Sequence, residues 1–204
     1  MVENAAVQDL LGGYLTVLQD AGSTYKLSPA SSRDEVSKLL VQAGYDARED
    51  VVEFFTWSGF VDRSWVGPDL FWGYNPVTLA HAIEIHRIQR DGVSDFWKSE
   101  GFSSDEAQWF PPGPDFFLPI AVLDSKDYVC VDCRAGDLGG SVWSQYSSDP
   151  TVELLFESLG EALEAARWSI ETGVWTVDVN SQIECDRPFG PSTRDRDYPP
   201  FRTV

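Results

Sequence analysis

Cations are scarce in this chain: 15 Lys and Arg stand against 33 Asp and Glu, a formal charge of −18 at pH 7. Such a field repels a phosphate backbone wherever it is not locally reversed, which argues against direct nucleic-acid binding and favours a basic protein partner. Cysteine is also sparse. Three in 204 residues, an odd number, make no disulfide framework and read as reduced thiols. Only two histidines are present, His81 and His86, five apart. On one helix they diverge by about 140°, so they form neither a metal pair nor the base of a nucleophile.

Long apolar runs are missing as well. Nowhere do about 18 uncharged apolar residues follow one another, so no transmembrane helix is expected. The opening MVENAAVQDLLGG has neither the basic start nor the apolar stretch of a signal peptide, and the chain is expected to be cytoplasmic. It contains no P-loop, GxGxxG turn, GxSxG elbow or HExxH pair. The expectation is a protein that is not an enzyme, with no catalytic residues, cofactor or metal.

What is plentiful is core material. Hydrophobic residues make up 43% of the chain, with eight Trp and twelve Phe, enough to bury a sizeable core in about one domain. Val7, Leu11, Tyr14 and Leu18 recur at helical spacing, although Gly12 and Gly13 weaken that helix by roughly 1 kcal/mol each. Ser32 and Glu35 have capping-box spacing before a helix from about Asp34 to Ala43, which Gly44 ends. A third helix, from about Ala47 to Trp57, turns Val51, Phe54 and Phe55 inward. LFWGYNP reads as a short aromatic strand, with Asn75 as N-cap and Pro76 at the first position of a helix reaching about Arg90. Leu79, Ile83 and His86 form its apolar stripe, with His81 toward solvent.

From Asp91 to Asp115 no period is sustained, and so long an irregular stretch marks a functional loop. Beyond it the period becomes two. FFLPIAVL, DYVCVDC, GSVWSQY and TVELLF read as an antiparallel meander, with Pro119 at an edge or bulge. Cys130 and Cys133, three apart in a strand, point to opposite faces and read as structural rather than as a redox or zinc half-site. Ser158 and Glu161 form a second capping box, opening a helix with Leu159, Leu163, Ala166 and Ile170 on one side. Helices first, meander later and a helix last imply an α+β fold. A strand-like TVDVN and a tail rich in Pro and Arg follow. From Ser181 to Val204 four acids balance four arginines, so the acidic part is the body.

Two acidic surfaces are candidates for binding. On the last helix Glu161, Glu164 and Glu171 share the outer face with Trp168, and Glu157 stands just before the cap, an aromatic anchor with a charged rim. The plainer reading is a solvated face with Trp168 folded onto a neighbour. The second spans Asp91 to Asp137, where ten acids face three cations and aromatics are interleaved. Its candidate partner-binding residues are Trp97, Glu100, Asp105, Glu106, Trp109, Asp115, Asp124, Asp127 and Asp132. Acids give steering and register, and aromatics give anchoring area. The plainer reading tucks the aromatics onto the sheet.

The order of these segments resembles the SUKH superfamily, which contains bacterial immunity proteins and a fungal cell-wall assembly regulator. The residues that carry the resemblance are the helix closing on FFTWSGF, the helix opened at NPVTLAHAI, the hairpin FFLPIAVLDSKDYVCVDC, the GSVW strand and the ESLGEALEAA helix, over about residues 33 to 172. Tyr45 and Asp46 stand where the family usually has Leu-Pro, and Ser58 and Gly59 where Asn-Gly is common. The resemblance implies helices packed around a central, largely antiparallel sheet over 33–175; a helical extension at 1–32 and a tail at 176–204 lie outside it. It further implies a non-catalytic immunity protein that binds and neutralises a polymorphic toxin domain, a basic nuclease by the charge argument. The alternatives are a regulatory or scaffold protein with an endogenous partner, as in the fungal relatives, and a small-ligand or glycan binder using the eight Trp.

Overall fold

A computed structural model of the chain describes residues 6–24, 31–57, 69–71, 73–88, 116–123, 127–136, 138–146 and 149–185. In order these form α1 (Val7–Asp20), α2 (Arg33–Gln42), α3 (Glu49–Trp57), β1 (Asn75–Pro76), α4 (79–88), β2 (Phe117–Leu123), β3 (Asp127–Asp132), β4 (Val142–Tyr146), β5 (Asp149–Phe156), α5 (Leu159–Glu171), β6 (Trp175–Val177) and β7 (Ile183–Cys185). The fold is α+β, with helices packed on an antiparallel sheet.

Five strands form that sheet in the order β1-β2-β3-β4-β5, every pair antiparallel. The meander follows from alternation. Leu118, Val131, Val142 and Phe156 lie opposite one another across four strands and are fully buried. On the other face, Pro119, Cys130, Trp143 and Leu154 make the matching row, in which Trp143 and Leu154 are half-buried. The register slips between Pro119 and Ala121, which places a bulge beside the residue that cannot donate to the ladder. Cys130 and Cys133 are buried free thiols, and burial pushes both up.

Of the helices, α2 obeys its local signals: Ser32 Oγ accepts the Glu35 N–H at 3.3 Å, and the Glu35 carboxylate accepts the Ser32 N–H at 2.9 Å. At α5, Ser158 Oγ accepts the Glu161 N–H at 3.1 Å, but the Glu161 carboxylate turns to the N–H of Glu157 instead of closing the box. The helix expected from Asn75 and Pro76 starts later. Those two residues pair with Val122 and Ala121 as β1, and Thr78 Oγ1 takes the His81 N–H to begin α4 at residue 79. The buried stripe of α4 is Leu79, Ala82, Ile85 and His86, with Ile83 and His81 half-buried. His86 packs against the Tyr45 ring, 5.2 Å between centroids.

Residues 7–20 are not an appendage. α1 packs against α3 and α5, with Val7, Leu11, Tyr14, Leu15 and Leu18 in the core. Its Tyr14 hydroxyl donates to the Leu70 carbonyl. Beside α1 lies the side chain of Arg167 from α5: a Cβ on Gly13 would stand 3.1 Å from that guanidinium. At the other end, the boundary drawn at 175 falls inside a two-stranded hairpin, β6–β7, whose Trp175 and Ile183 are buried.

Candidate interaction surface

α5 turns Leu159, Ala162, Leu163, Ala166 and Ile170 into the core, because they fall on one side at 100° per residue. Its outer side carries Glu164, Arg167 and Glu171 exposed, with Glu161 and Trp168 half-buried. The helix therefore brings Glu161, Glu164 and Trp168 onto one surface, as their spacing requires. Glu171 is engaged by Arg167 one turn earlier, Nε to Oε1 at 2.8 Å. Glu157, in the turn before the helix, is exposed.

The second surface is only partly within view. Trp97, Glu100, Asp105, Glu106, Trp109, Asp115 and Asp124 lie outside the described residues, as does the whole 91–115 stretch. Asp127 opens β3 and is half-buried. Asp132 corrects the expectation. Its side chain is 0% exposed, and its carboxylate accepts from Arg134 Nε at 3.2 and 2.9 Å, from Nη2 at 2.5 Å and from the Arg134 N–H at 3.0 Å. A carboxylate so enclosed and neutralised presents no charge to a partner. The Arg134 guanidinium also lies 5.6 Å from the centroid of the exposed Phe116 ring.

Three of the other four described arginines are similarly engaged, and Arg87 is exposed. Arg33 binds Glu49 and Glu53, and Arg48 binds Asp50 at 3.3 Å beside the Gly139 and Gly140 turn. Thus Arg33, Arg48, Arg134 and Arg167 are each tied to a carboxylate of their own chain. Asp9, Asp20, Asp46, Glu84, Glu157 and Glu164 remain exposed. The outer surface of the described residues is net acidic.

One buried acid escaped notice in the sequence. Asp69, 4% exposed, accepts the N–H of Ile183 at 2.9 Å, the N–H of Gly73 at 3.2 Å and Nδ2 of Asn75 at 2.9 Å. Burial pushes its carboxyl up to about 6, against the opposing pull of those donors. Nothing in the segment GPDLFWG announces this, because two of the donors are backbone groups and the Ile183 one is brought in from far along the chain.

Among the described residues, no group of three or more His, Cys, Asp or Glu is arranged to hold a metal ion. No helix there is long and apolar enough to cross a membrane. No family model matches the chain, and no curated protein matches it either.

Proposed function

We propose that this chain is a non-catalytic, acidic, cytoplasmic immunity-type protein that binds and neutralises a basic toxin domain of the nuclease class. The observation that carries the reading is the charge distribution. An excess of 18 negative charges is joined to a surface on which four arginines are tied to carboxylates of their own chain while Asp9, Asp20, Asp46, Glu84, Glu157 and Glu164 are exposed. A nuclease domain is basic where it holds nucleic acid, and an inhibitor of opposite sign gains association rate and discrimination against other partners. The resemblance of the segment order to the SUKH superfamily supports the same reading, and an antiparallel sheet with helices packed on it is compatible with it.

The outer face of α5, with Glu161, Glu164 and Trp168, is the docking surface we favour within the described residues. The test is co-expression of the tagged full-length chain with basic toxin domains encoded beside its gene, followed by capture and assay of toxin activity. The expected result is one cationic domain, retained at moderate salt and inhibited. Association of the Glu161→Lys, Glu164→Lys double variant should fall more steeply at low salt than at high salt. Capture of endogenous regulators in place of a toxin would move the chain to the scaffold class.

A further inference from the structure

α1 and α5 run in the same direction. A Cβ on Gly160, in the first turn of α5, would stand 3.3 Å from Leu10 Cδ1, and farther along both helices Arg167 lies beside Gly13. Their C-terminal ends therefore fall at the same end of the pair, where the β6–β7 hairpin that follows α5 meets the chain leaving α1. α1 closes with Gly22 at φ +105°, its N–H on the Gln19 carbonyl and the Ser23 N–H on the Leu18 carbonyl, a geometry that fixes the direction of the next residue. That residue is Thr24, whose N–H donates to Ser181 Oγ at 2.8 Å, with the two hydroxyls 2.8 Å apart. Ser181 is 1% exposed and stands at φ +63°, a left-handed conformation that persists in a serine where its surroundings enforce it.

Residues 69 and 70 close this contact into a ring. The Tyr14 hydroxyl of α1 donates to the Leu70 carbonyl, the Asp69 N–H donates to the Ser181 carbonyl at 3.2 Å, and the Asp69 carboxylate accepts the Ile183 N–H of β7 at 2.9 Å. α1 with its exit, the hairpin and the stretch before β1 are thus each bonded to the other two. Tyr14, Leu70, Asp69, Ser181 and Ile183 are all buried. Core packing holds each element in place, α1 through Leu11, Tyr14 and Leu18 and the hairpin through Trp175 and Ile183. What the ring adds is coupling. If α1 leaves alone, the Leu70 carbonyl and Ser181 Oγ lose their partners; if the hairpin leaves alone, the N–H groups of Thr24 and Asp69 lose theirs. A polar group stranded in a buried place disfavours such a half-open state by about tenfold or more.

We propose that α1 and the β6–β7 hairpin open and close together as one clasp on α5, so that the side of α5 covered by α1 is bared only when the hairpin has let go as well. The sheet stays closed while the clasp opens, because its strands pair with one another and take no part in the ring beyond β1. The clasp does not depend on the partner proposed above.

The test is hydrogen exchange of the full chain by NMR under native conditions, with and without low urea. Leu15 and Leu18 in α1 and Ile183 in β7 should share one opening equilibrium and one urea dependence, with lower protection than Val129 and Val131 in β3. Val7→Ala thins the packing at the far end of α1 from Thr24, and it should raise opening at Ile183 by the same factor as at Leu18, about tenfold, with β3 unchanged. Ser181→Ala, made on the hairpin, should carry over to Leu18 in the same way. Faster exchange at Leu18 in Val7→Ala with Ile183 unmoved overturns the clasp. An equal loss of protection in β3 overturns it too, since the whole fold would then open as one. Should Ser181→Ala fail to fold, Val7→Ala and the wild-type urea dependence decide: different urea dependences for Leu18 and Ile183 overturn the clasp.

Discussion

Arg134 grips the carboxylate of Asp132 side-on, Nε to Oδ1 at 3.2 Å and Nη2 to Oδ2 at 2.5 Å, from two residues further along the chain. The acid is enclosed and the base is a quarter exposed. Removing the guanidinium strands a charge inside the protein. Arg134→Ala should therefore lower stability by about 3 kcal/mol in chemical denaturation. Arg134→Ala combined with Asp132→Ala should recover part of that loss, whereas equal stability of the single and double variants would show that the pair is not coupled.

Gly140 has φ +87°, and a Cβ there would collide with the Asp50 carboxylate and stand 2.9 Å from Arg48 Nη2. Gly136 has φ +108° but open space around it. Both positions penalise a side chain through the backbone, by about 1 kcal/mol, and only Gly140 adds a clash. Gly140→Ala should cost at least about 2 kcal/mol and exceed Gly136→Ala. Thermal unfolding of the two variants side by side decides it, and equal losses would count against the packing of Arg48 on this turn.

Ser144 lies in the middle of β4 opposite Val129, 2% exposed, and among the described residues its hydroxyl has no hydrogen-bond partner. A buried hydroxyl in that state costs about 1 kcal/mol or more. Ser144→Ala should raise the melting temperature, by a few degrees at most. A marked fall would reveal a bond made by that oxygen.

Glu35 titrates below the ordinary glutamate range, held there first by the Ser32 N–H and then by the Ser32 hydroxyl. Its cap on α2 is therefore present above pH 4.5 and is lost as pH falls through the lowered value. In Ser32→Ala the backbone donor remains, so the Glu35 midpoint should rise partway toward the ordinary value in an NMR titration. A full return would contradict the order of the two causes, and no change would remove the hydroxyl as a cause.

What could be read from the sequence was what local chemistry decides. The Ser32 box, the inward faces of α1 and α5 and the period-two meander depend on residues within a few positions of one another. Asn75 and Pro76 carry a helix-start signal, yet pairing with Ala121 and Val122, more than forty positions away, makes them a strand and passes the cap to Thr78. Asp132 belonged among the surface acids by composition alone, although Asp132 and Arg134 two apart on an extended segment was the available sign of an internal pair. Asp69 had no sign at all, since its partners Ile183 and Ser181 arrive only through tertiary structure. Of the acidic surfaces, the α5 face was legible because helical spacing sets it.

The docking of α1 on α5 sets an order of events during synthesis. α1 leaves the ribosome before its main neighbour α5, which is made about 140 residues later. At roughly 5–20 residues per second this is a wait on the order of ten seconds or more. Throughout it Leu11, Tyr14 and Leu18 lack their permanent cover, while the hairpins of the meander close locally and early. Cover for α1 is thus gated by α5, and a nascent chain stalled before residue 159 leaves the α1 face exposed.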